Sequence, residues 1–357
     1  MDRIALFLPN WIGDVVMATP TIRAVREAWP AAELVAVCKP YVADVLAGSP
    51  WFRETVLFDK NGPRERRLWV VARKLRQKPI GGAILFPNSF RTALLAKLGG
   101  CRRVVGFARY GRSLLLDRRL KAATDARGRF VPSPMMDDYN RLAVALGTAD
   151  PGYKMALFTT LQDETAASAV WDQFALAKYP RVVGLNPGSA FGAAKHWPVE
   201  HFAELARTLA ERRGCGVLVL CGPSERDIAR GIAADSHSPH VFALSDTPLS
   251  LGLTKAVVRR LDLLVTTDSG PRHFAAAFGV PVVTLFGPTH IGWTETHFAK
   301  ALHVQKPVPC GPCQQRVCPL GHHRCMTELM PQDAVGPALD LLRRFTDEIS
   351  GATRHAS

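Results

Sequence analysis

Four short stretches of this chain set polar side chains between an apolar run and an amphipathic one. The first is Pro9-Asn10-Trp11-Ile12-Gly13-Asp14, where Gly13 permits a close backbone turn. Asp14 falls at or near a helix start. It either caps that helix or presents a carboxylate that takes a proton from an incoming hydroxyl. The second runs from Asn186-Pro187-Gly188-Ser189 through small residues to Lys195, ahead of His196-Trp197-Pro198. Free backbone N–H groups and one ammonium make a phosphate cradle. The alternative is a flexible linker with a solvated lysine. It is not a Walker A loop, because the GK[ST] ending is missing. The third, Cys221-Gly222-Pro223-Ser224-Glu225, puts Glu225 near another helix start. There it either favours the helix dipole or accepts hydrogen bonds from ribose hydroxyls. The fourth is Thr266-Thr267-Asp268-Ser269-Gly270-Pro271-Arg272-His273. A helix N-terminus suits a diphosphate, and Asp268 beside it points to sugar hydroxyls. His273 is either part of that site or a packing residue in the first turn.

A separate cluster reads Cys310-x2-Cys313-x4-Cys318-x6-Cys325, with His322 and His323 inside it. These are metal-ligating residue types, so structural zinc is one use of the segment. A Pro-rich loop packed at a domain edge is the other. Cys38, Cys101, Cys215 and Cys221 stand alone in apolar surroundings and read as small buried hydrophobes.

Short β-branched runs alternate with amphipathic stretches along the chain. Strands are expected at 3–8, 33–38, 55–59, 82–86 and 103–107, with helices at 14–28, 41–47, 64–77, 89–98 and 135–147. The pattern weakens at 148–180 and then restarts. Strands follow at 181–188, 216–222, 241–245, 261–270 and 280–288. Helices follow at 198–213, 224–234, 249–260, 271–278 and 331–349. Such alternation predicts parallel sheets covered on both faces. The length of 357 residues fits two such units. The expected division is 1–170, 171–330 and a final helical segment, 331–357. Ligands in such sheets sit at the carboxyl ends of strands, where all four polar turns lie.

Net charge is +14, and 47% of residues are hydrophobic. That composition excludes a disordered chain or a multi-span membrane protein. Residues 61–130 hold 18 Lys and Arg against 3 acids. Arg102, Arg103, Arg109, Arg112, Arg118, Arg119, Lys121, Arg127 and Arg129 recur there. This is either a solvated face or a docking surface for a polyanion. Nucleic acid is not the expected partner, because the stretch lacks interleaved aromatics and a known module. The opening MDRIALFLPNWIGD does not read as a signal peptide. A reducing cytoplasm without structural disulfides is expected.

The segments PNWIGDVVMATPTIRAVR, NPGSAFGAAKHWP, TTDSGPRHFAAAFGVPVVTLFGPT and CGPCQQRVCPLGHHRCM, taken in order, resemble the ADP-heptose–lipopolysaccharide heptosyltransferase family. They are most similar to its heptosyltransferase II branch. The resemblance runs from Pro9 to about Pro331. It implies a GT-B fold, with two Rossmann-like domains facing a cleft, the donor held by the second, and the last helix crossing back to the first. It also implies inverting transfer of heptose from ADP-L-glycero-D-manno-heptose to the lipopolysaccharide inner core, with no cofactor required. In that reading Asp14 is the general base. Lys195 and Ser189 hold the diphosphate, Glu225 the ribose, and Leu249 borders adenine. Asp268, Ser269 and Gly270 hold heptose and diphosphate, and His273 is the motif histidine. Gly13, Arg91 and Arg109 fall to the acceptor. Arg272 stands where relatives often carry an apolar residue. The basic stretch then serves an acidic lipopolysaccharide precursor and the anionic cytoplasmic face of the inner membrane. A transferase for another sugar nucleotide is the nearer rival. An epimerase would be expected to carry a nicotinamide fingerprint, which is absent.

Overall fold

The structure, a computed structural model, describes residues 1–128 and 130–346. Arg129, one of the arginines in the basic stretch, lies outside the described residues, as do positions 347–349 of the expected last helix and the rest of the chain after them. The chain forms two units. The first comprises Met1–Phe158 with Gly292–His297, and the second Thr159–Ile291 with the chain from Phe298 onward.

In the first unit six strands are hydrogen-bonded in parallel: β1 (Arg3–Phe7), β2 (Glu33–Cys38), β3 (Glu54–Leu57), β4 (Ile80–Leu85), β5 (Cys101–Phe107) and β6 (Arg118–Leu120). Their order is β3-β2-β1-β4-β5-β6. The helices are α1 (Ile12–Met17), α2 (Thr19–Ala28), α3 (Pro40–Val45), α4 (Leu68–Arg76), α5 (Phe90–Leu98) and α6 (Met135–Leu146). Every residue of β1 is buried, as a central parallel strand requires. Its first residue, Arg3, is accommodated by an ion pair to Glu54 at 2.6 Å.

The second unit repeats the plan. Its strands are β7 (Val182–Asn186), β8 (Gly216–Val219), β9 (Val241–Ala243), β10 (Leu263–Thr267), β11 (Val282–Phe286) and β12 (Ala301–Gln305). Their order is β12-β11-β10-β7-β8-β9. The helices are α7 (Leu161–Gln173), α8 (Val199–Arg213), α9 (Arg226–Asp235), α10 (Leu251–Arg259), α11 (Gly270–Phe278), α12 (Arg324–Thr327) and α13 (Pro331–Thr346). Each sheet reverses its winding once, between β1 and β4 and between β7 and β10. These switch points are where an open parallel sheet leaves a crevice at its carboxyl edge.

The structure departs from the sequence-based expectation in several places. The helix expected over 14–28 is two helices, α1 and α2. Pro20 opens the second and supplies no N–H, while Thr19 Oγ1 donates to the Val16 carbonyl at 2.6 Å. A helix, α7, fills part of 148–180. Its start is fixed by a reciprocal pair: Thr160 Oγ1 accepts from Asp163 N–H and Asp163 Oδ2 from Thr160 N–H. Because α7 packs on α10, the division comes at 158/159 and not at 170. The last helix is expected to cross back to the first unit, but its described residues pack within the second. α13 packs on α8, β10, β11 and β12 of the second. The segment that groups with the first unit is 292–297, where His297 packs on Tyr153 with ring centroids 4.3 Å apart. No described helix is long and apolar enough to cross a membrane.

Candidate active site

At the switch point of the second sheet, β10 ends in Thr267 and hands over to Asp268. The cap of α11 follows at Ser269, with Gly270 and Pro271 opening the helix. Proline suits that position, where the N–H has no intrahelical partner. Asp268 is only 5% exposed. Its Oδ2 accepts from Lys195 Nζ at 2.5 Å and from Thr289 Oγ1 at 2.8 Å. Its Oδ1 accepts from Arg272 Nη1 at 3.1 Å. Burial alone would raise this carboxyl, but the Lys195 and Arg272 cations overcome it. They hold the group well below the ordinary carboxylate range. Arg272 is therefore part of the buried charge cluster. Its guanidinium also lies 5.0 Å from the centre of the Phe286 ring.

His273 is buried one residue further on, and its Nδ1 has no hydrogen-bond partner among the described residues. Burial, and then the neighbouring Arg272 cation, push the imidazole well below its ordinary pKa, so it is neutral at physiological pH. Packing and site membership thus coincide in this residue.

Lys195 is carried by the loop that follows β7, on the other side of the switch point. Its Nζ also donates to the Asp268 carbonyl at 2.9 Å and lies 4.5 Å from the Phe191 ring centre. It is buried and bonded, which excludes a solvated linker lysine. Asn186 joins the two loops by donating from Nδ2 to Thr266 Oγ1 and Ser269 Oγ, both at 3.0 Å. Thr267 Oγ1 donates to the Gly188 carbonyl at 2.8 Å. Ser189 is buried, and its Oγ accepts from the Phe191 N–H at 3.4 Å.

Glu225 follows β8. Its Oε2 accepts from the Gly222 N–H at 2.7 Å. A Cβ on Gly188 would lie 2.2 Å from both carboxylate oxygens, so Glu225 sits directly over the glycine of the neighbouring loop. Lys195, Ser189, Glu225, Asp268, Ser269, Gly270 and His273 therefore occupy three adjoining loops of one carboxyl edge. Leu249 is half-buried just ahead of the Ser250 cap of α10 and, being apolar, joins none of these bonds.

Sequence reading missed the role of Arg316. Its carbonyl accepts from the Ala194 N–H at 3.1 Å, and its guanidinium lies 5.5 Å from the Phe191 ring centre. Gly192, at φ +152°, has no room for a Cβ, which would meet that carbonyl at 2.4 Å. The cysteine-rich segment thus straps the Lys195 loop in place. Cys310 Sγ is 3.9 Å from His322 Nε2. Backbone N–H groups, His323 first, lower the Cys318 thiol, whereas burial and the other three cysteines raise Cys325. Among the described residues no three His, Cys, Asp or Glu side chains converge as a metal would require.

In the first unit Asp14 lies in the first turn of α1, at the carboxyl end of β1. The cap position falls on Trp11, and no side-chain capping bond forms there, so Asp14 is not the N-cap. Gly13 is an ordinary helical residue and not one of the left-handed glycines. Burial, and then Asp14, raise the pKa of Tyr139 and keep its phenol protonated. Arg91 is exposed near the start of α5, and Arg109 lies 3.8 Å from the Phe130 ring centre. Arg112, counted among the surface cations of the basic stretch in the sequence reading, is instead fully buried and cannot face a polyanion or solvent. It donates from Nε to the Phe107 carbonyl at 2.8 Å, from Nη2 to Asn88 Oδ1 at 2.7 Å, and from Nη1 to the Pro87 carbonyl. Burial and the Arg109 charge pull its pKa down to about 10, so it remains a cation at neutral pH.

Two Rossmann-like units in one chain, with a buried charge cluster at the switch point of the second, are the architecture of the GT-B fold. The profile of glycosyltransferase family 9 (heptosyltransferase) matches residues 68–324, and the chain belongs to that family. It is 25% identical to lipooligosaccharide heptosyltransferase 2 of Campylobacter jejuni over 96% of this chain and 98% of that one. It is 27% identical to lipopolysaccharide heptosyltransferase 2 of Escherichia coli K12, covering 92% and 95%. The solved E. coli ADP-heptose lipopolysaccharide heptosyltransferase II superposes with a TM-score of 0.77 at 23% identity, covering 98% and 100%.

Proposed function

We propose that the protein transfers heptose from ADP-L-glycero-D-manno-heptose to the inner core of lipopolysaccharide, on a heptosyl-Kdo-lipid A type acceptor, with inversion at the anomeric carbon. The observation that carries this is the buried Lys195–Asp268–Arg272 cluster at the start of α11, in a chain of the heptosyltransferase family. Asp14 takes the proton of the acceptor hydroxyl, whose oxygen bonds to the anomeric carbon as the bond to the diphosphate breaks. The electron pair leaves with ADP. Lys195 and the N-terminus of α11 stabilise the charge that develops on the departing diphosphate. Ser189 joins them on the diphosphate, and Ser269 and Gly270 on diphosphate and heptose. Glu225 takes the ribose hydroxyls, and Leu249 borders adenine. Asp268 orients Lys195 and binds heptose hydroxyls. The neutral His273 completes the polar wall without adding charge. Gly13, Arg91 and Arg109 face the acidic acceptor, at the cytoplasmic face of the inner membrane.

The test is a thermal-shift and calorimetric series with ADP, UDP and GDP, followed by mass analysis of the acceptor. ADP should bind best, and an acceptor incubated with ADP-heptose should gain one heptose. Lys195→Ala should weaken ADP binding by about tenfold or more, as loss of a charge-assisted contact does. Unchanged affinity would remove Lys195 from the site, and a preference for UDP or GDP would replace the donor.

A further inference from the structure

We propose that the carboxyl edge of the first sheet, on the side covered by α4 and α5, docks the protein onto an anionic phospholipid bilayer. Apolar tips set among arginines would make that contact. This deepens the reading of a lipid-linked acceptor and rests on it for its purpose.

In a parallel sheet each following helix begins at the carboxyl edge. Trp69 is the second residue of α4 and Phe90 the first of α5, so both sit at that edge. Tyr110 and Leu114 follow β5 there as well, and the turn at 113–115 packs on α5, which packs on α4. These side chains face water. Trp69 is 71% exposed and Leu114 86%. A tryptophan and a leucine gain little in water, but both gain on entering the headgroup and acyl boundary.

The surrounding charge is predominantly positive. Residues 60–115 hold 14 Lys and Arg and a single acid, Glu65. Arg64, Arg67 and Arg91 are exposed among the apolar tips. The next acid along the chain, Asp117, is neutralised by Lys97 at 2.7 Å. Long arginine stems lie along an apolar surface while their heads stay at phosphate level, and each cation near an anionic leaflet adds attraction.

The expectation that this stretch lacks aromatics among its cations is corrected by the structure, which exposes Trp69, Phe90, Tyr110 and Phe130. Two of these four rings already face a cation. Arg109 lies over the Tyr110 and Phe130 rings, at 5.4 and 3.8 Å from their centres. The most exposed tip, Leu114, is aliphatic and offers a base no π face. Hydrocarbon is the environment that suits it.

The test is co-sedimentation of the full chain with vesicles of phosphatidylglycerol and phosphatidylethanolamine, against vesicles of phosphatidylcholine alone. Wild type should bind the anionic vesicles, and raised salt should weaken binding. Trp69→Ala combined with Leu114→Ala should weaken it about tenfold, and so should Arg64→Glu combined with Arg67→Glu. Both double variants should keep wild-type turnover on a deacylated, water-soluble acceptor and lose turnover on acceptor embedded in vesicles. Vesicle binding is read without substrate, so it stands or falls apart from the transfer reaction. Equal binding to both vesicle types, no binding, or undiminished binding by the variants would overturn the proposal. So would a preference for duplex DNA over anionic vesicles at equal salt.

Discussion

Asp268 bonds two cations, Lys195 and Arg272, in a setting almost closed to water. Removing one member of a buried charge group costs more than the group contributes, because it leaves the others desolvated and unpaired. Asp268→Ala should therefore destabilise the protein by about 3–5 kcal/mol in urea denaturation. The pH dependence has a definite sign. The folded carboxyl lies below its unfolded value of about 3.9, so its contribution is full above that value and is lost as pH falls toward the folded one. Asp268→Asn should flatten the acid limb of the stability curve below about pH 4. An unchanged limb would mean that the carboxylate is not held by these cations. The sequence showed Asp268 and Lys195 as separate motifs 73 residues apart. It could not show that they are ion-paired, because pairing depends on β7 and β10 being neighbours.

The loops after β7 and β8 are coupled through a single missing Cβ. Gly188→Ala would drive a methyl group into the Glu225 carboxylate and turn it away from its present position. If that carboxylate holds the ribose, ADP affinity should fall about tenfold by calorimetry, as for loss of a hydrogen bond to a charged group. Unchanged affinity would take Glu225 out of the nucleotide site. The central strands were legible in the sequence because burial on both faces leaves an unbroken apolar run, as in VVGLN and VVTLF. The edges were not. β6 is Arg-Arg-Leu and largely exposed, and β12 is only half-buried, so neither carries that signal. The helix α7 was missed because its start is written in a capping pair and not in apolar periodicity. The strap made by Arg316 was hidden for another reason. It acts through a backbone carbonyl, which every residue possesses.

At the level of the whole molecule, the surplus of positive charge lies in the unit that carries Asp14. The buried charge cluster lies in the other. In the proposed reaction the first half serves the polyanionic acceptor and the second the nucleotide sugar. Single-turnover transfer from ADP-heptose by Asp14→Ala, with ADP binding measured on the same preparation, tests the division most directly. Loss of a general base should slow transfer by about 10²–10⁴-fold while ADP affinity stays close to wild type. Wild-type transfer by the variant would contradict the assignment of Asp14, and with it the proposed path of the acceptor proton.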